Sequence, residues 1–403
     1  MPRPMNFPST CFARAGRAMR GTLAGLALAA LPLVGSADTA SDATTRDQMA
    51  QVYQAMQVLF PLSVDADAFR DPENQVQIRA ALAQLAAASE GLAEHGAEGP
   101  ASFAYLSHAL ANDARDIRDR HGAGHTQEAR FLVQTLAETC VACHSRLPAD
   151  RDAPRSQDFV DQGRLASLPT PARARLAYAT RQFERAQQLF EALLVDPRSQ
   201  PTDLDLEGIL DDYLELAVRV RRNPERARAR LAVFAERHDM PEKLRRDVEG
   251  WRRDLETTAK RPAPKHPLVL ARSLVEDAEG RVRTGRERSA LVPYLEASGW
   301  LLRALELEST LSRQERAEAY ALLGTIETRI GRSFWLSQAE AYLEVAIRSW
   351  PHSRVAEDAF ATLNDYLVGG YSGSSGTHLP PDIAAKLDEL AGLAMRPEPA
   401  ATP

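Results

Sequence analysis

The segment TLAETCVACHSRLP, residues 135–148, decides how the N-terminal part of this 403-residue chain is interpreted. Apolar residues recur in and before it at helical spacing, and Leu136 and Cys140 share one face of the predicted helix. Thr126 is a suitable N-cap for this helix, and Pro148 ends it because proline cannot continue an α-helix. The segment is therefore predicted to be the final stretch of a helix that carries two cysteines.

Three more helical stretches precede this one, and each has apolar residues at helical spacing. The second and third open at Asp-Pro and Gly-Pro pairs, which favour a helix start, and a Gly-Ala-Gly turn follows the third. Because the connections are short, neighbouring helices should run antiparallel. The sequence thus predicts an all-α protein whose first four helices span residues 44–62, 71–95, 99–121 and 126–147.

The run Cys140-Val141-Ala142-Cys143-His144 has the C-x-x-C-H spacing of covalent haem attachment. Two thiols on one helical turn can bond to the two vinyl groups of one porphyrin, and His144 then supplies an axial nitrogen to the iron. A disulfide between the two cysteines is an alternative. A thioredoxin-like pair would need a βαβ context and a zinc site would need two more ligands, and neither is evident. We therefore predict one haem c, held by Cys140, Cys143 and His144.

The N-terminus has the features of a secretory signal peptide, which we assign to residues 1–37. Four arginines precede an apolar run, Gly21 to Gly35, and small residues follow where a signal peptidase cuts. The run is short and is broken by Pro32, so an uncleaved membrane anchor is the less favoured alternative. Removing the segment removes Cys11 and leaves only the two cysteines of the motif. We therefore predict a periplasmic protein without a membrane span.

A haem motif near the end of a fourth helix resembles the cytochrome c prime class and its low-spin relatives, over residues 42–148. The resemblance implies a four-helix bundle that encloses the haem and uses the histidine of its last helix as an axial ligand. Low-spin members of that family add a methionine from the first helix. High-spin members leave the sixth position open or sterically blocked, and some bind small gases there.

Three residues are candidates for the sixth ligand. Because the first helix runs antiparallel to the fourth, Met49 should lie at the level of His144, with Met56 about 10 Å deeper on the same face. His108, on the third helix, is a further candidate. The methionines could instead simply fill space in the core. Three other histidines lie toward helix ends or turns and are expected to be solvated: His95, His121 and His125.

The rest of the chain is divided into a linker and a second helical domain. Residues 149–168 are polar and proline-marked, as is typical of a linker. Residues 169–395 return to helical periodicity, and ARLAYATRQFERAQQLFEALLVDP, residues 174–197, resembles a tetratricopeptide repeat (TPR) unit, as does the segment 317–351. We therefore expect a TPR-like α-solenoid whose concave groove binds a peptide or protein.

Three functions are compatible with these features. The favoured one is single-electron transfer to a redox partner protein, and the alternative is a haem-based gas or redox sensor or scavenger with an open sixth position. A peroxidase is least favoured because most dihaem peroxidases carry two motifs, so an electron carrier or binding protein is favoured over an enzyme. The formal net charge of −6 argues against nucleic acid as the partner.

Overall fold

The structure is a computed structural model, and it describes residues 36–96, 101–145, 159–161, 163–282, 288–306, 311–331 and 338–395. These residues are almost entirely helical, which confirms the all-α fold class. The described residues from Ala43 onward form one compact unit. No described helix is both long enough and apolar enough to cross a membrane. The predicted signal peptide, residues 1–37, lies outside the described residues except for Ser36 and Ala37.

Helices make up the described chain as far as residue 145. The four predicted helical stretches are confirmed, although the first begins before its predicted start, and one extra short helix fills the first connection. Asp65 caps that extra helix, because its side chain accepts hydrogen bonds from the backbone N–H groups of Asp67 and Ala68. The elements are α1 Ser36–Val64, α2 Ala66–Arg70, a 3-10 helix Pro72–Asn74, α3 Gln75–Gly96, α4 Ala101–Gly122 and α5 Thr126–His144.

Contacts between these helices show the direction in which each runs. In each of the three helix pairs compared, the residue number rises along one helix as it falls along the other, as antiparallel packing requires. The contacts are Gln84–Gln51 and Gly91–Gln48, then Arg115–Glu90 and Gly96–Ser107, then Arg120–Glu128 and Thr139–Asp113. Because α1 and α3, α3 and α4, and α4 and α5 are each antiparallel, α5 also runs antiparallel to α1.

The start of α5 is joined to the end of α1 by two hydrogen bonds. The carbonyl oxygen of Ser63 accepts from Arg130 Nη1 at 2.8 Å and from Gln134 Nε2 at 2.6 Å. These bonds give the level of each residue on α1 relative to α5, which matters for the choice of a sixth ligand.

The second half of the chain consists of successive packed helices, and a two-stranded hairpin precedes the last one. The first TPR-like segment forms the packed pair α6 and α7, and the second contributes the packed pair α14 and α15. The repeat arrangement itself stays a prediction. The elements are α6 Thr170–Ala179, α7 Phe183–Val195, α8 Pro201–Leu206, α9 Ile209–Glu215, a π-helix Leu216–Val220, α10 Pro224–Ala235, α11 Glu242–Lys260, α12 Pro267–Arg281, a 3-10 helix Arg288–Ala290, α13 Leu291–Glu306, α14 Arg313–Ile330, α15 Ala339–Ser349, α16 Arg354–Gly370, β1 Ser372–Gly373, β2 Gly376–Thr377 and α17 Pro381–Ala394.

Two hydrophobic cores hold these elements together. The first extends from Val52 on α1 to Leu295 on α13, and the second from Leu268 on α12 to Ala394 on α17. Within the predicted linker, residues 149–168, Val160 and Leu165 are buried in the first core. The predicted boundary between two domains stays a prediction, and the described residues on its two sides share one core.

Candidate functional site

The two cysteines of the motif lie on the last turns of α5. Cys140 and Cys143 are three residues apart and therefore project from the same side of the helix. Both are half-buried, and neither forms a disulfide. Cys140 packs against the first core. The thiols thus stand at the border between the core and the surface, where a flat, mainly apolar group could bond to both.

The environment of Cys140 argues against two alternative functions of the pair. Burial raises the pKa of its thiol to about 12, and the neighbouring Cys143 adds to this effect. A redox-active pair or a zinc ligand acts as the thiolate, which a lowered pKa favours. Within the described ranges, no three or more His, Cys, Asp or Glu side chains are grouped to hold a metal ion. The raised pKa of the Cys140 thiol thus differs from the lowered pKa that is typical of a redox-active or zinc-bound cysteine.

The imidazole of His144 is held by a residue from the second half of the chain. Its Nδ1 lies 2.5 Å from the carbonyl oxygen of Ala179, and because a carbonyl can only accept, Nδ1 carries the hydrogen. Burial lowers the pKa of His144 to about 4, an effect that the Ala179 carbonyl opposes and the nearby Arg181 reinforces. The ring is therefore neutral near pH 7, and Nε2 has a lone pair available for a metal ion.

The end of α6 explains why a carbonyl is available at this position. The last carbonyls of an α-helix have no partner within that helix. Beyond Ala179 the chain turns sharply, since Arg181 adopts a left-handed conformation with φ of 63° and the N–H of Gln182 returns to the carbonyl of Ala177. His144 donates to one of the carbonyls at this helix end. Packing of α5 on α6 thus gives a hydrogen-bond partner both to the Ala179 carbonyl and to the imidazole N–H of His144.

The candidate sixth ligands on α1 can be compared by their level along the helix. Ser63 on α1 bonds to Arg130 and Gln134 and is therefore level with the midpoint between them, residue 132 on α5. His144 lies twelve residues beyond that midpoint, or about 18 Å along the helix. The same rise back along α1 reaches residue 51, about 3 Å from Met49 and about 7.5 Å from Met56. Met49 is half-buried and Met56 is buried, and both belong to the core that contacts Cys140. The level favours Met49, and the choice of ligand stays a prediction.

The other histidines have contrasting environments. Counting from the contact between Thr139 and Asp113, His108 lies at the level of His144, but its side chain is exposed on α4. His121 was expected to be solvated, and this expectation is wrong. Its ring is buried and meets Phe69 edge-on at a centroid distance of 5.9 Å, because α2 covers the end of α4. Since α2 was not anticipated, neither was the burial of His121.

Ala179 was not among the residues predicted for this site. Its contribution is a backbone carbonyl, which every residue has, so the residue type gives no signal. The contact joins residues 35 positions apart and depends on how α6 packs on α5. The structure thus brings the neutral imidazole, the two thiols and this carbonyl together at one end of α5.

Comparisons with known proteins found no relative. Neither a protein-family model, nor a curated protein sequence, nor a solved structure matches this chain.

Proposed function

We propose that this chain is an exported, periplasmic, monohaem c-type cytochrome that transfers single electrons. The observation that carries the proposal is the hydrogen bond from His144 Nδ1 to the carbonyl of Ala179. A histidine that ligates a metal almost always donates its other ring nitrogen to a carbonyl, a carboxylate or water, which selects the tautomer and orients the ring. His144 has this arrangement, and it directly follows two cysteines with the spacing of haem attachment.

Each residue of the site has a separate role in this proposal. Bound haem would supply an iron that accepts and releases one electron. Cys140 and Cys143 would each add their S–H across one vinyl double bond, so that no atom is lost and no oxidant is needed. His144 would offer Nε2 to the iron, and the bond to Ala179 would keep that nitrogen unprotonated and the ring from rotating. The buried Leu136 and Val141 on α5 would exclude water from this side.

The arrangement of helices supports a fuller version of the proposal. The antiparallel order of α1, α3, α4 and α5 is what a four-helix bundle of the cytochrome c prime type needs. The helix pairs from α6 onward suit a TPR-like domain, and such arrays bind proteins on their concave surface. We infer that a redox partner protein docks on this second half of the chain. Because α6 directly contacts the end of α5, a partner bound there would lie close to the proposed haem and could accept its electron.

A second candidate function follows from the levels on α1. Neither methionine lies exactly at the level of His144. A haem iron held by His144 could therefore have an open sixth position. A haem with one free position binds small gases, and the contact between His144 and α6 would pass a change at the iron to the second half of the chain. This second candidate is a haem-based gas or redox sensor.

The decisive experiment measures covalent haem on protein produced in a host that matures c-type cytochromes. Mass spectrometry of the purified chain should find the mass of one haem and the loss of the signal peptide. Cys140→Ala/Cys143→Ala should lack the haem mass, while Cys11→Ala, a cysteine within the predicted signal peptide, should retain it. A wild-type chain without added haem mass would contradict the proposal, because thioether attachment is its first requirement.

A further inference from the structure

A cavity of about 320 Å³ lies among the π-helix, the start of α10, the end of α11 and α13. Its apolar wall includes Val218, Pro224, Ala259 and Trp300. Small-molecule sites in proteins usually occupy roughly 300–1,000 Å³ and are lined by apolar side chains with a few polar groups. None of the predicted haem-binding residues lines this cavity. It is therefore a separate candidate binding site.

Most of the charged side chains around the cavity are neutralised by neighbours within the protein. The ion pairs are Arg219 with Glu215 and Glu327, Arg261 with Glu296, and Glu225 with Arg228. Two lining arginines differ from these. Arg222 and Arg303 form no ion pair with any acidic residue in the part of the chain that the structure describes. Among the residues that the structure describes, these two positive charges are therefore uncompensated.

These two arginines converge on one aromatic ring. The guanidinium carbon of Arg222 lies 5.1 Å from the centroid of the Trp300 ring, and that of Arg303 lies 5.9 Å from it. Both distances suit a cation–π interaction. Burial lowers the pKa of Arg222, and the like charge of Arg303 lowers it further. Two cations that repel each other are thus held together at an accessible place, since both side chains are exposed.

The backbone at Arg222 is unusual in two respects. The preceding residues, Leu216–Val220, form a π-helix, a rare conformation that often occurs at functional sites. Arg222 itself has φ of 53°, in the left-handed region that residues with a β-carbon rarely adopt. Strained backbone of this kind costs free energy and is known to cluster at active sites, ligand clamps and switch regions. Here the strained residue is one of the two uncompensated arginines.

We propose that this cavity binds a small organic molecule that carries a carboxylate or phosphate group. The oxyanion lies between Arg222 and Arg303, because a guanidinium group donates two parallel hydrogen bonds to such groups. The rest of the molecule lies along the apolar wall beside Trp300. Binding removes the repulsion between the two arginines, which gives the site its preference for anions. The proposal is independent of haem binding.

The experiment is titration calorimetry of the full chain with two probes, inorganic phosphate and succinate. The wild-type protein should bind at least one of them, and the better probe indicates whether the ligand carries phosphate or carboxylate. Arg222→Asn and Arg303→Gln should each weaken binding by roughly tenfold or more, since each removes charged hydrogen bonds to the anion. Asn tolerates the left-handed backbone at position 222, so this variant should remain folded.

Arg253→Gln is the matched control, because Arg253 is an exposed arginine on α11 that does not line the cavity. Its affinity should equal that of the wild type, and thermal unfolding should show that all three variants are folded. The proposal fails if the wild type binds neither probe at millimolar concentration. It also fails if the folded Arg222→Asn and Arg303→Gln variants bind as tightly as Arg253→Gln does.

Discussion

Basic side chains differ in charge and in partners between two places, the contact between α5 and α6 and the cavity beside Trp300. At the first, His144 donates to Ala179, and burial lowers its pKa to about 4, so the ring is neutral and its Nδ1–H is satisfied. At the second, Arg222 and Arg303 are charged and have no acidic partner among the described residues. His144 is thus uncharged, whereas Arg222 and Arg303 carry positive charge that no acidic residue of the described ranges neutralises.

The difference distinguishes basic side chains that have their partners within the protein from basic side chains that have none among the described residues. Arg219 shows the contrast within one short segment. It is buried, donates to Glu215 and Ser298, and pairs with Glu327. Arg222, three residues later, contacts the ring of Trp300, is repelled by Arg303 and pairs with no acidic residue in the described part of the chain. The charge of Arg219 is therefore satisfied within the protein, whereas that of Arg222 is exposed on the surface.

The largest effect is expected at the proposed haem site, where His144 at the end of α5 would hold the iron. In haem-loaded protein, Met49→Ala should convert the optical spectrum from low-spin to high-spin, because Met49 is the methionine that lies closer to the level of His144. Met56→Ala is the matched control, with the same residue type on the same face of α1, and should leave the spectrum low-spin. Conversion by Met56→Ala alone would assign the ligand to Met56. A high-spin spectrum in the wild type would favour the open sixth position.

The next effect concerns stability at the cavity. Arg219→Met should lower the free energy of unfolding by about 3–5 kcal/mol, because it leaves Glu215 and Glu327 largely buried without their cation. Burial opposes the charge on Arg219, yet these two carboxylates outweigh it and raise the pKa of Arg219. Urea unfolding measures the change. A loss below that of an exposed control, Arg253→Met, would show that the ion pairs contribute nothing.

A smaller effect on stability, of opposite sign, is expected at Arg222. Arg222→Asn should leave the free energy of unfolding unchanged or raise it by up to about 1 kcal/mol. The substitution relieves the left-handed strain and the repulsion by Arg303, and it loses only the contact with Trp300. The same urea experiment measures it. A destabilisation as large as that of Arg219→Met would mean that Arg222 is structural and that the comparison is wrong.

The smallest effect concerns another basic side chain, His121 at the end of α4. Burial lowers the pKa of His121, and the charge of Arg79 adds to this effect. Because the unfolded chain then binds the proton at higher pH than the folded chain, stability should fall as the pH decreases below 6.5. His121→Phe, which keeps a ring against Phe69, should reduce this fall in pH-dependent urea unfolding.

The control for the His121 experiment is an exposed histidine in the adjacent turn. His125→Phe changes the same residue type where the side chain is 59% exposed. This variant should keep the pH dependence of the wild type. If both substitutions flatten the pH dependence equally, or if neither does, the burial of His121 is not the cause of the acid sensitivity.

The sequence predicted much of the helical framework because its signals are local. Apolar residues at helical spacing and Pro or Gly at the ends located α3, α4 and α5 closely. The short helix α2 was missed because five residues give too little periodicity to recognise. That omission led directly to the wrong environment for His121.

The sequence by itself determined the order of the helices and the spacing of Cys140, Cys143 and His144, since both depend on residues that are neighbours along the chain. Only the tertiary structure decided that Ala179 accepts the imidazole hydrogen and that Arg222 and Arg303 meet at Trp300. Those contacts join residues tens of positions apart, and they form only because distant helices pack to bury their apolar faces. A pattern read along the chain carries the first kind of information and not the second.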